Sequence, residues 1–359
     1  MSLFKFVAGL VLLVLGADAL VRGASRLAAA IGISSLVIGL TVVAFGTSTP
    51  ELVVSLQAAL SGQAGIAMGN VIGSNIFNVL FILGLSALIV PLSVSQQLIR
   101  LDVPLMIGLS VLIFLMSLDG QISRIDGLIL VAGILTYTGF LIRQSRQDQA
   151  KDQSTQLSDV ARPSKSSWVA SVILVIVGLG LLIVGSRWLV ESSVLFAQYL
   201  GVSELVIGLT IVAAGTSLPE LVTSVVAAIR GERDIAVGNV VGSNIFNLLA
   251  VLGCASIVAS SGIDVSPAIV RFDLPVMIAV AFACLPIFFT GGRISRQEGA
   301  LLLGYYVAYT LYLILAATHH DALPQLSWVM LYFVVPLTVV TILIVSLKEL
   351  RSKSKGRSS

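Results

Sequence analysis

Two short motifs place oxygen donors at fixed spacing inside otherwise apolar sequence. The first is Gly46-Thr47-Ser48-Thr49-Pro50-Glu51, which returns as Gly215-Thr216-Ser217-Leu218-Pro219-Glu220. The second is Gly69-Asn70-Val71-Ile72-Gly73-Ser74-Asn75-Ile76-Phe77-Asn78, which returns as Gly238-Asn239-Val240-Val241-Gly242-Ser243-Asn244-Ile245-Phe246-Asn247. A charged side chain at mid-membrane costs at least ~2.5 kcal/mol on insertion scales, so Glu51 and Glu220, at one repeat position, require a reason. Thr47 and Thr216 lie four residues before the glutamates, which predicts hydroxyl and carboxylate on one helix face. Ser74 and Asn78 repeat that spacing, as do Ser243 and Asn247. Pro50 and Pro219 lack an N–H and clash with the carbonyl four residues back. They predict an unwound stretch with the Gly46 and Gly215 carbonyls freed, tolerated at that depth only against protein or a wet cavity.

The donor set is two carboxylates with hydroxyls, amide oxygens and carbonyls, and it contains no His or Cys. Hard oxygen donors suit Ca²⁺ and, by the same argument, Na⁺. The only histidines, His319 and His320, fall in an expected external loop, and Cys254 and Cys284 read as small buried hydrophobes. Two carboxylates neutralise one Ca²⁺ or two Na⁺; a third Na⁺ would leave excess positive charge and so introduce voltage sensitivity. One site that holds one divalent or several monovalent ions in turn is the physical basis of antiport. An intramembrane hydrolase needs a nucleophile and base, and the span interiors offer no His and no motif-borne Asp pair.

The chain has 359 residues, 57% hydrophobic and only 11% charged, with mean hydropathy +1.04. Soluble domains carry roughly 25% charged residues, so a polytopic membrane protein is expected, with the lipid bilayer as its surroundings. No nucleic-acid partner, obligate protein partner, cofactor or enzymatic activity is indicated. A helix needs about 20 apolar residues to cross the hydrocarbon. Eleven spans are expected, near 3–21, 34–60, 66–90, 103–118, 125–142, 168–190, 202–229, 235–259, 273–290, 298–318 and 325–347. The motif-bearing spans 34–60, 66–90, 202–229 and 235–259 are not expected to be plain helices. Ala17-Asp18-Ala19 resembles a cleavage site, but Gly16 and Leu20 recur as Gly185 and Leu189, so the first span is read as a retained helix. Lys and Arg concentrate in cytoplasmic loops. With the N-terminus outside and the C-terminus cytoplasmic, 17 of the 21 basic residues fall inside, all but Lys5, Arg124, Arg187 and Arg271. The short loops point to a prokaryotic inner membrane.

Gly32–Gly84 aligns without a gap onto Gly201–Gly253, with 35 of 53 positions identical, so the two segments are copies. Arg100-Leu101-Asp102-Val103-Pro104 returns as Arg271-Phe272-Asp273-Leu274-Pro275, and Ile122-Ser123-Arg124 as Ile294-Ser295-Arg296. Each copy holds five spans. An odd number forces the second copy to enter from the opposite side, an inverted-topology repeat with its site expected at the midplane between the halves. The expected fold is therefore all-α and polytopic, two inverted five-helix repeats plus an extra C-terminal helix. The expected units are 1–142, a flexible cytoplasmic linker 143–167, 168–318, and 319–359 with the extra helix and a basic tail. Gly69 and Gly73, like Gly238 and Gly242, read as close helix packing. Arg100, Asp102, Arg271 and Asp273 sit at span starts and read as interfacial anchors or N-terminal helix charges rather than ion ligands, and Trp168, Trp188 and Trp328 read as an aromatic belt.

The GTSTPE and GTSLPE stretches, each followed by GNVxGSNIFN, resemble the two alpha-repeats of the cation/calcium exchanger superfamily. The match is to its sodium/calcium exchanger branches, including potassium-dependent members and bacterial relatives, and it covers the chain through residue 318. The resemblance implies that Glu51 and Glu220 ligate both Ca²⁺ and Na⁺. It further implies ligands from Thr47, Ser48, Thr216, Ser217, Ser74, Asn78, Ser243 and Asn247, and from the carbonyls of Ala44 and Ala213, with Ca²⁺ on Glu51, Glu220, Thr47 and Thr216. Several exchangers carry Asp where this chain has Asn247. The expected activity is Na⁺/Ca²⁺ antiport by alternating access, with Ca²⁺/H⁺ or K⁺-dependent exchange at the same site as the alternative.

Overall fold

The computed structural model describes residues 2–155, 165–201, 204–207, 210–211, 213–289, 291–318, 320 and 322–334. The first half runs α1 (Ser2–Ile31), α2 (Ser35–Ile38), a π-helical turn Gly39–Val43, α3 (Ala44–Thr47), α4 (Thr49–Leu60) and α5 (Ala64–Phe77). It continues through a π-helical turn Asn78–Leu83, α6 (Gly84–Ile89), β1 (Leu92–Ser93), a third such turn Leu98–Asp102, α7 (Val103–Met116), β2 (Gln121–Ile122) and α8 (Arg124–Thr155). The second half repeats the order: α9 (Lys165–Tyr199), α10 (Glu204–Ile207), α11 (Ala213–Gly215), α12 (Leu218–Ile229) and α13 (Arg233–Phe246). A π-helical turn Asn247–Val251 follows, then α14 (Leu252–Val258), β3 (Ile263–Asp264), the turn Ile269–Asp273, α15 (Leu274–Phe289), β4 (Arg293–Ile294) and α16 (Arg296–Ala317). Then comes α17 (Leu323–Val329), running into a π-helical turn to Val334.

Among the described residues, eight helices are long and apolar enough to cross a membrane. A ninth span is made by Ser35–Thr47 and Thr49–Leu60, bent by 46° where they meet. Leu218–Ile229 is the repeat counterpart of α4, twelve residues like it. Most of the expected span 325–347 lies outside the described residues. Several boundaries differ from expectation. α1 and α9 run about ten residues further than their apolar cores, to Ile31 and Tyr199, so Trp188 sits within α9 rather than at a span end. The stretch expected as a flexible linker is helical at both ends, through Thr155 and from Lys165; residues 156–164 lie outside the described residues. The spans near 66–90 and 235–259 stay helical throughout, accommodating their polar motifs by a π-helical turn instead of a break.

Glycines bring the two halves together. Gly9 lies against the Gly185 carbonyl and Gly16 against the Gly178 carbonyl, so α1 and α9 pack antiparallel, backbone on backbone. Ala17 and Leu20 are fully buried in that seam, and α1 is continuous through Ala17-Asp18-Ala19. Gly84 of α6 meets Gly299 of α16, and Gly127 of α8 meets Gly253 of α14. Lipid offers no hydrophobic drive between helices, so close approach of small residues supplies the dispersion contact. The outward faces of α1, α8 and α9 carry Leu3, Phe4, Leu128, Leu135, Ile173 and Ile176 exposed, as a lipid-facing surface requires.

Each end of the bundle is tied by a two-stranded antiparallel pair that takes one strand from each half. β1 pairs with β4 (Leu92 with Ile294) and β2 with β3 (Ile122 with Ile263). α7 separates β1 from β2, so the two pairs sit at opposite ends. Arg124 donates from Nε to the Ala259 carbonyl at 2.9 Å, and Arg296 from Nη2 to the Ile89 carbonyl at 3.3 Å. Both cap the carbonyl end of a helix from the other half. One fastening has no repeat counterpart. Asp18 of α1 pairs with Arg22 and with Arg230, and Ser25 donates to Glu232 at 2.8 Å. The positions matching Arg230 and Glu232 in the first half are Ser61 and Gln63, which carry no charge.

Of the two readings of Asp102, the structure fits a charge at a helix N-terminus, since it precedes α7, and not an exposed interfacial anchor. Asp102 is completely buried and accepts hydrogen bonds from Tyr137 Oη at 2.8 Å and Gln97 Nε2 at 3.3 Å, because the helix starts at Leu98 and carries it inward. Tyr309 makes the matching bond to Asp273 at 3.2 Å.

A Cβ at Gly16 would stand 2.8 Å from both the Gly178 carbonyl and the Leu182 amide. Gly16→Ala should therefore destabilise the fold by about 1–3 kcal/mol through overpacking. Gly139→Ala, in α8 with nothing within 4 Å, should instead stabilise it by up to about 1 kcal/mol through helix propensity. Thermal unfolding of both variants in detergent checks the contrast.

Candidate cation site

Proline starts a new helix in both motifs. Pro50 and Pro219 occupy the first turn of α4 and α12, where a fixed φ suits the helix and no N–H is missed. The break falls one residue earlier than the helix start, at Ser48 (φ −82°, ψ 8°) and Ser217 (φ −88°, ψ 9°). This is the sparsely populated bridge region in which many active-site residues sit. Thr47 and Glu51 therefore belong to two helices that meet at a 46° bend. Thr47 Oγ1 reaches Asn239 Oδ1 at 3.1 Å and the Ala44 carbonyl at 3.4 Å. The freed Gly215 carbonyl does not stay free either: Ser186 donates its hydroxyl to it at 2.8 Å. Position 17, the repeat counterpart of Ser186, is alanine.

The two carboxylates are almost completely buried, and each is held by the other half. Ser48 Oγ donates to Glu220 Oε1 at 2.7 Å, and Ser217 Oγ donates to Glu51 Oε1 at 2.7 Å. Ser217 also lies 3.3 Å from Ser74 Oγ. Behind the carboxylates, Asn70 donates to the Glu51 carbonyl (3.2 Å) and to Ser55 (2.9 Å), and Asn239 to the Glu220 carbonyl (3.3 Å) and to Ser224 (2.9 Å). Asn78 and Asn247 each open a π-helical turn, a feature found often at functional sites. Their Nδ2 atoms are tied to Asn244 Oδ1 (3.0 Å) and Asn75 Oδ1 (3.2 Å).

This leaves buried oxygens without hydrogen-bond partners among the described residues: Glu51 Oε2, Glu220 Oε2, Asn78 Oδ1, Asn247 Oδ1, Thr216 Oγ1 and Ser243 Oγ. Buried polar atoms are nearly always satisfied, so such a cluster fits a cation as the missing partner. Ser48 and Ser217 stand at the carboxylates, Ser74 beside Ser217, and Thr47 beside Asn239. The Ala44 carbonyl accepts the Ser48 N–H at 3.0 Å, and Ala213 opens α11. The second layer of Asn70, Ser55, Asn239 and Ser224, the crossed serine pairing and the π-helical turns were not read from the sequence. The Ser and Asn positions repeat in the two copies, which was the available signal.

The two ends of the site differ. Ile66 of α5 is 52% exposed while its counterpart Ile235 is 0% exposed, and Gly69 is exposed where Gly238 is buried. Gly238 and Gly242 pack on Leu36 and Leu40, as the small-residue spacing predicted. Gly69 and Gly73 do not, since a Cβ on either would meet nothing within 4 Å.

A hard-oxygen cluster at the centre of a duplicated helical bundle defines a polytopic membrane transport protein. The family profile described as sodium/calcium exchanger protein matches residues 1–143 and 170–315, and the chain belongs to that family. It is 40% identical over 305 residues to the putative antiporter CaxA of Alkalimonas amylolytica (84% of this chain, 95% of that protein). It is 35% identical over 334 residues to the sodium/calcium exchanger MaX1 of Methanosarcina acetivorans (84% and 95%), and 37% identical to the inner membrane protein YrbG of Escherichia coli over 305 residues (84% and 94%). Its fold is similar to a solved structure of the sodium-calcium exchanger NCX_Mj, with TM-score 0.74 and 31% identity over 85% of this chain and 96% of that one.

The crossed pairing is testable by double-mutant cycles on thermal unfolding. Ser48→Ala and Glu220→Gln should couple by about 1–3 kcal/mol, the worth of a hydrogen bond to a charged group. Ser48→Ala with Glu51→Gln should be additive.

Proposed function

We propose that this chain is a secondary antiporter that exchanges Na⁺ for Ca²⁺ through one site shared by the two halves. The observation that carries the reading is the pair of buried carboxylates, Glu51 and Glu220, each with one oxygen bound to a serine of the other half and one without a hydrogen-bond partner among the described residues. Both belong to a set of hard oxygen donors, which favours Ca²⁺ and Na⁺ over softer metals. Two negative charges balance one Ca²⁺ or two Na⁺, so loading one cargo excludes the other, which is the coupling that antiport needs. In this reading Thr47, Ser48, Ser74, Asn78, Ala44, Thr216, Ser217, Ser243, Asn247 and Ala213 supply the remaining oxygens. The names of MaX1 and NCX_Mj agree with the cargo.

Alternating access follows from the inverted repeat. In this reading the exposed Ile66 and Gly69 mark the open route to the site, and their covered counterparts Ile235 and Gly238 the closed one. Exchanging the roles of the two halves would close the first route and open the second. α1 and α9 are the natural moving pair: they are zipped to each other by glycine, carry no motif residue, and present their outer faces to lipid. We assign residues 1–142 and 168–318 to the two repeats, with the open route outside and the 143–167 segment cytoplasmic.

Uptake of ⁴⁵Ca²⁺ into proteoliposomes should require internal Na⁺ and fall at least about a hundredfold in Glu51→Gln and Glu220→Gln, since each removes a buried charge that pairs with the cargo. Uptake that follows an acid-inside gradient without Na⁺ would replace Na⁺ by H⁺ as the coupling ion. Indifference to both substitutions would sink the reading. For topology, with Cys254 and Cys284 replaced by alanine, Ser158→Cys should react only with reagents that enter the cell, and Asp119→Cys with impermeant ones.

A further inference from the structure

Two motif asparagines outside the proposed ligand set, Asn75 and Asn244, are buried beside it with both ends of each amide engaged. Asn244 donates from Nδ2 to Met106 Sδ at 3.4 Å, and its Oδ1 accepts Asn78 Nδ2 at 3.0 Å. Asn75 donates from Nδ2 to Met277 Sδ at 3.8 Å and to the Asn244 carbonyl at 3.4 Å, and its Oδ1 accepts Asn247 Nδ2 at 3.2 Å. Each series alternates between halves: Met106, Asn244, Asn78 on one side and Met277, Asn75, Asn247 on the other. At the end of each stands a buried amide oxygen, Asn78 Oδ1 or Asn247 Oδ1, with no hydrogen-bond partner among the described residues.

An asparagine amide has two ends of nearly equal shape and opposite polarity. Turned one way it offers a cation a lone pair; turned the other way it offers two hydrogens. A carboxylate has no wrong face, but this chain uses amides at both positions, so something must select the orientation. A thioether sulfur carries no hydrogen and can only accept. It therefore draws the nitrogen of the neighbouring asparagine toward itself and turns that residue's oxygen away. That oxygen in turn draws the nitrogen of Asn78 or Asn247, leaving the last oxygen pointing at the site.

We infer that Asn75 and Asn244, polarised by Met277 and Met106, are positioning residues that fix the amides of Asn247 and Asn78 with oxygen toward the cation. The inference rests on the exchange reading above and adds four residues to it. It explains why a residue as apolar as methionine sits against a buried amide at matching places in both halves. It also makes the neutral amide at 247 a self-consistent choice. An Asp there could not donate to Asn75 Oδ1, and Asn75 could turn its nitrogen to meet it only by facing its oxygen to sulfur.

The test measures Na⁺-driven ⁴⁵Ca²⁺ uptake for the native chain, Glu51→Gln, Asn75→Leu, Asn244→Leu, Met106→Leu, Met277→Leu, Asn78→Asp and the double variant Asn78→Asp/Asn244→Leu. Loss of one oriented ligand should raise the Ca²⁺ KM about tenfold in Asn75→Leu and Asn244→Leu, with Vmax within about twofold. The volume-conserving Met106→Leu and Met277→Leu should each raise it about two- to fivefold, sulfur being a weak acceptor. The decisive readout is the double variant. In the native background Asn78→Asp sets a carboxylate against Asn244 Oδ1 and should impair uptake. With Asn244→Leu that opposition is gone and either carboxylate oxygen serves the cation, so the double variant should have a lower KM than Asn244→Leu alone. Additive losses in the double variant, or a KM within about twofold of native in both Met→Leu variants, would overturn the relay while leaving the exchange reading intact. If the native chain takes up no Ca²⁺, or Glu51→Gln is without effect, the exchange reading fails and this inference fails with it.

Discussion

Two carboxylates held inside an apolar bundle constrain everything else in this structure. Glu51 and Glu220 cannot be satisfied by their own halves, because the serine that reaches each one comes from the other motif. Burial of a carboxylate is tolerated only with hydrogen bonds and a compensating charge. The bonds are supplied across the repeat interface, so neither half completes its own site, and the halves must interleave. The same crossing recurs at the bundle ends, where each strand pair takes one strand from each half, and in the arginines that cap helices of the opposite half.

Symmetry in sequence does not produce symmetry in surroundings. Ile66 and Ile235 occupy one repeat position, yet one is half exposed and the other fully covered. In the proposed antiport, two interchangeable halves would give two equivalent arrangements, occupied one at a time. The differences between copies show where that equivalence is broken chemically. Asp18, Arg22 and Arg230, with Ser25 and Glu232, fasten α1 at one end. At the other end the matching loop carries Ser61 and Gln63, and the ion pair there, Lys5 of α1 with Glu191 of α9 at 3.2 Å, is partly exposed. An exposed pair of that kind contributes at most about 1 kcal/mol.

Much of this architecture was legible in the sequence. The 169-residue offset that superimposes Gly32–Gly84 on Gly201–Gly253 defines the duplication, five spans per copy imply the inversion, and Glu51 with Glu220 mark the centre. These features can be read because they are periodic or costly: a duplication leaves identities in register, and an unneeded charge at mid-membrane would be expelled. Boundaries were less legible. Asp102 read as an interfacial anchor or a helix-start charge because the apolar run starts after it; its burial, with hydrogen bonds from Tyr137 and Gln97 and a helical turn that begins at Leu98, was not legible. Gly69 and Gly73 read like Gly238 and Gly242 because spacing alone carries no information on which copy is covered.

The sequence by itself determined the fold class, the repeat, the family and the donor types of the candidate site, all of which depend on residue identity along one chain. Only the tertiary structure decided which hydroxyl meets which carboxylate, that Ser186 takes the Gly215 carbonyl, and that Met106 and Met277 stand behind the asparagines. Those pairings join residues more than a hundred positions apart across a pseudo-twofold interface, except for Ser186 with Gly215, which joins neighbouring helices. Their partners are chosen by helix geometry, by a bend at Ser48 and by glycine contacts that let backbones touch. No local spacing encodes such a choice, because a hydrogen bond depends on angles and distances fixed only when both halves are packed.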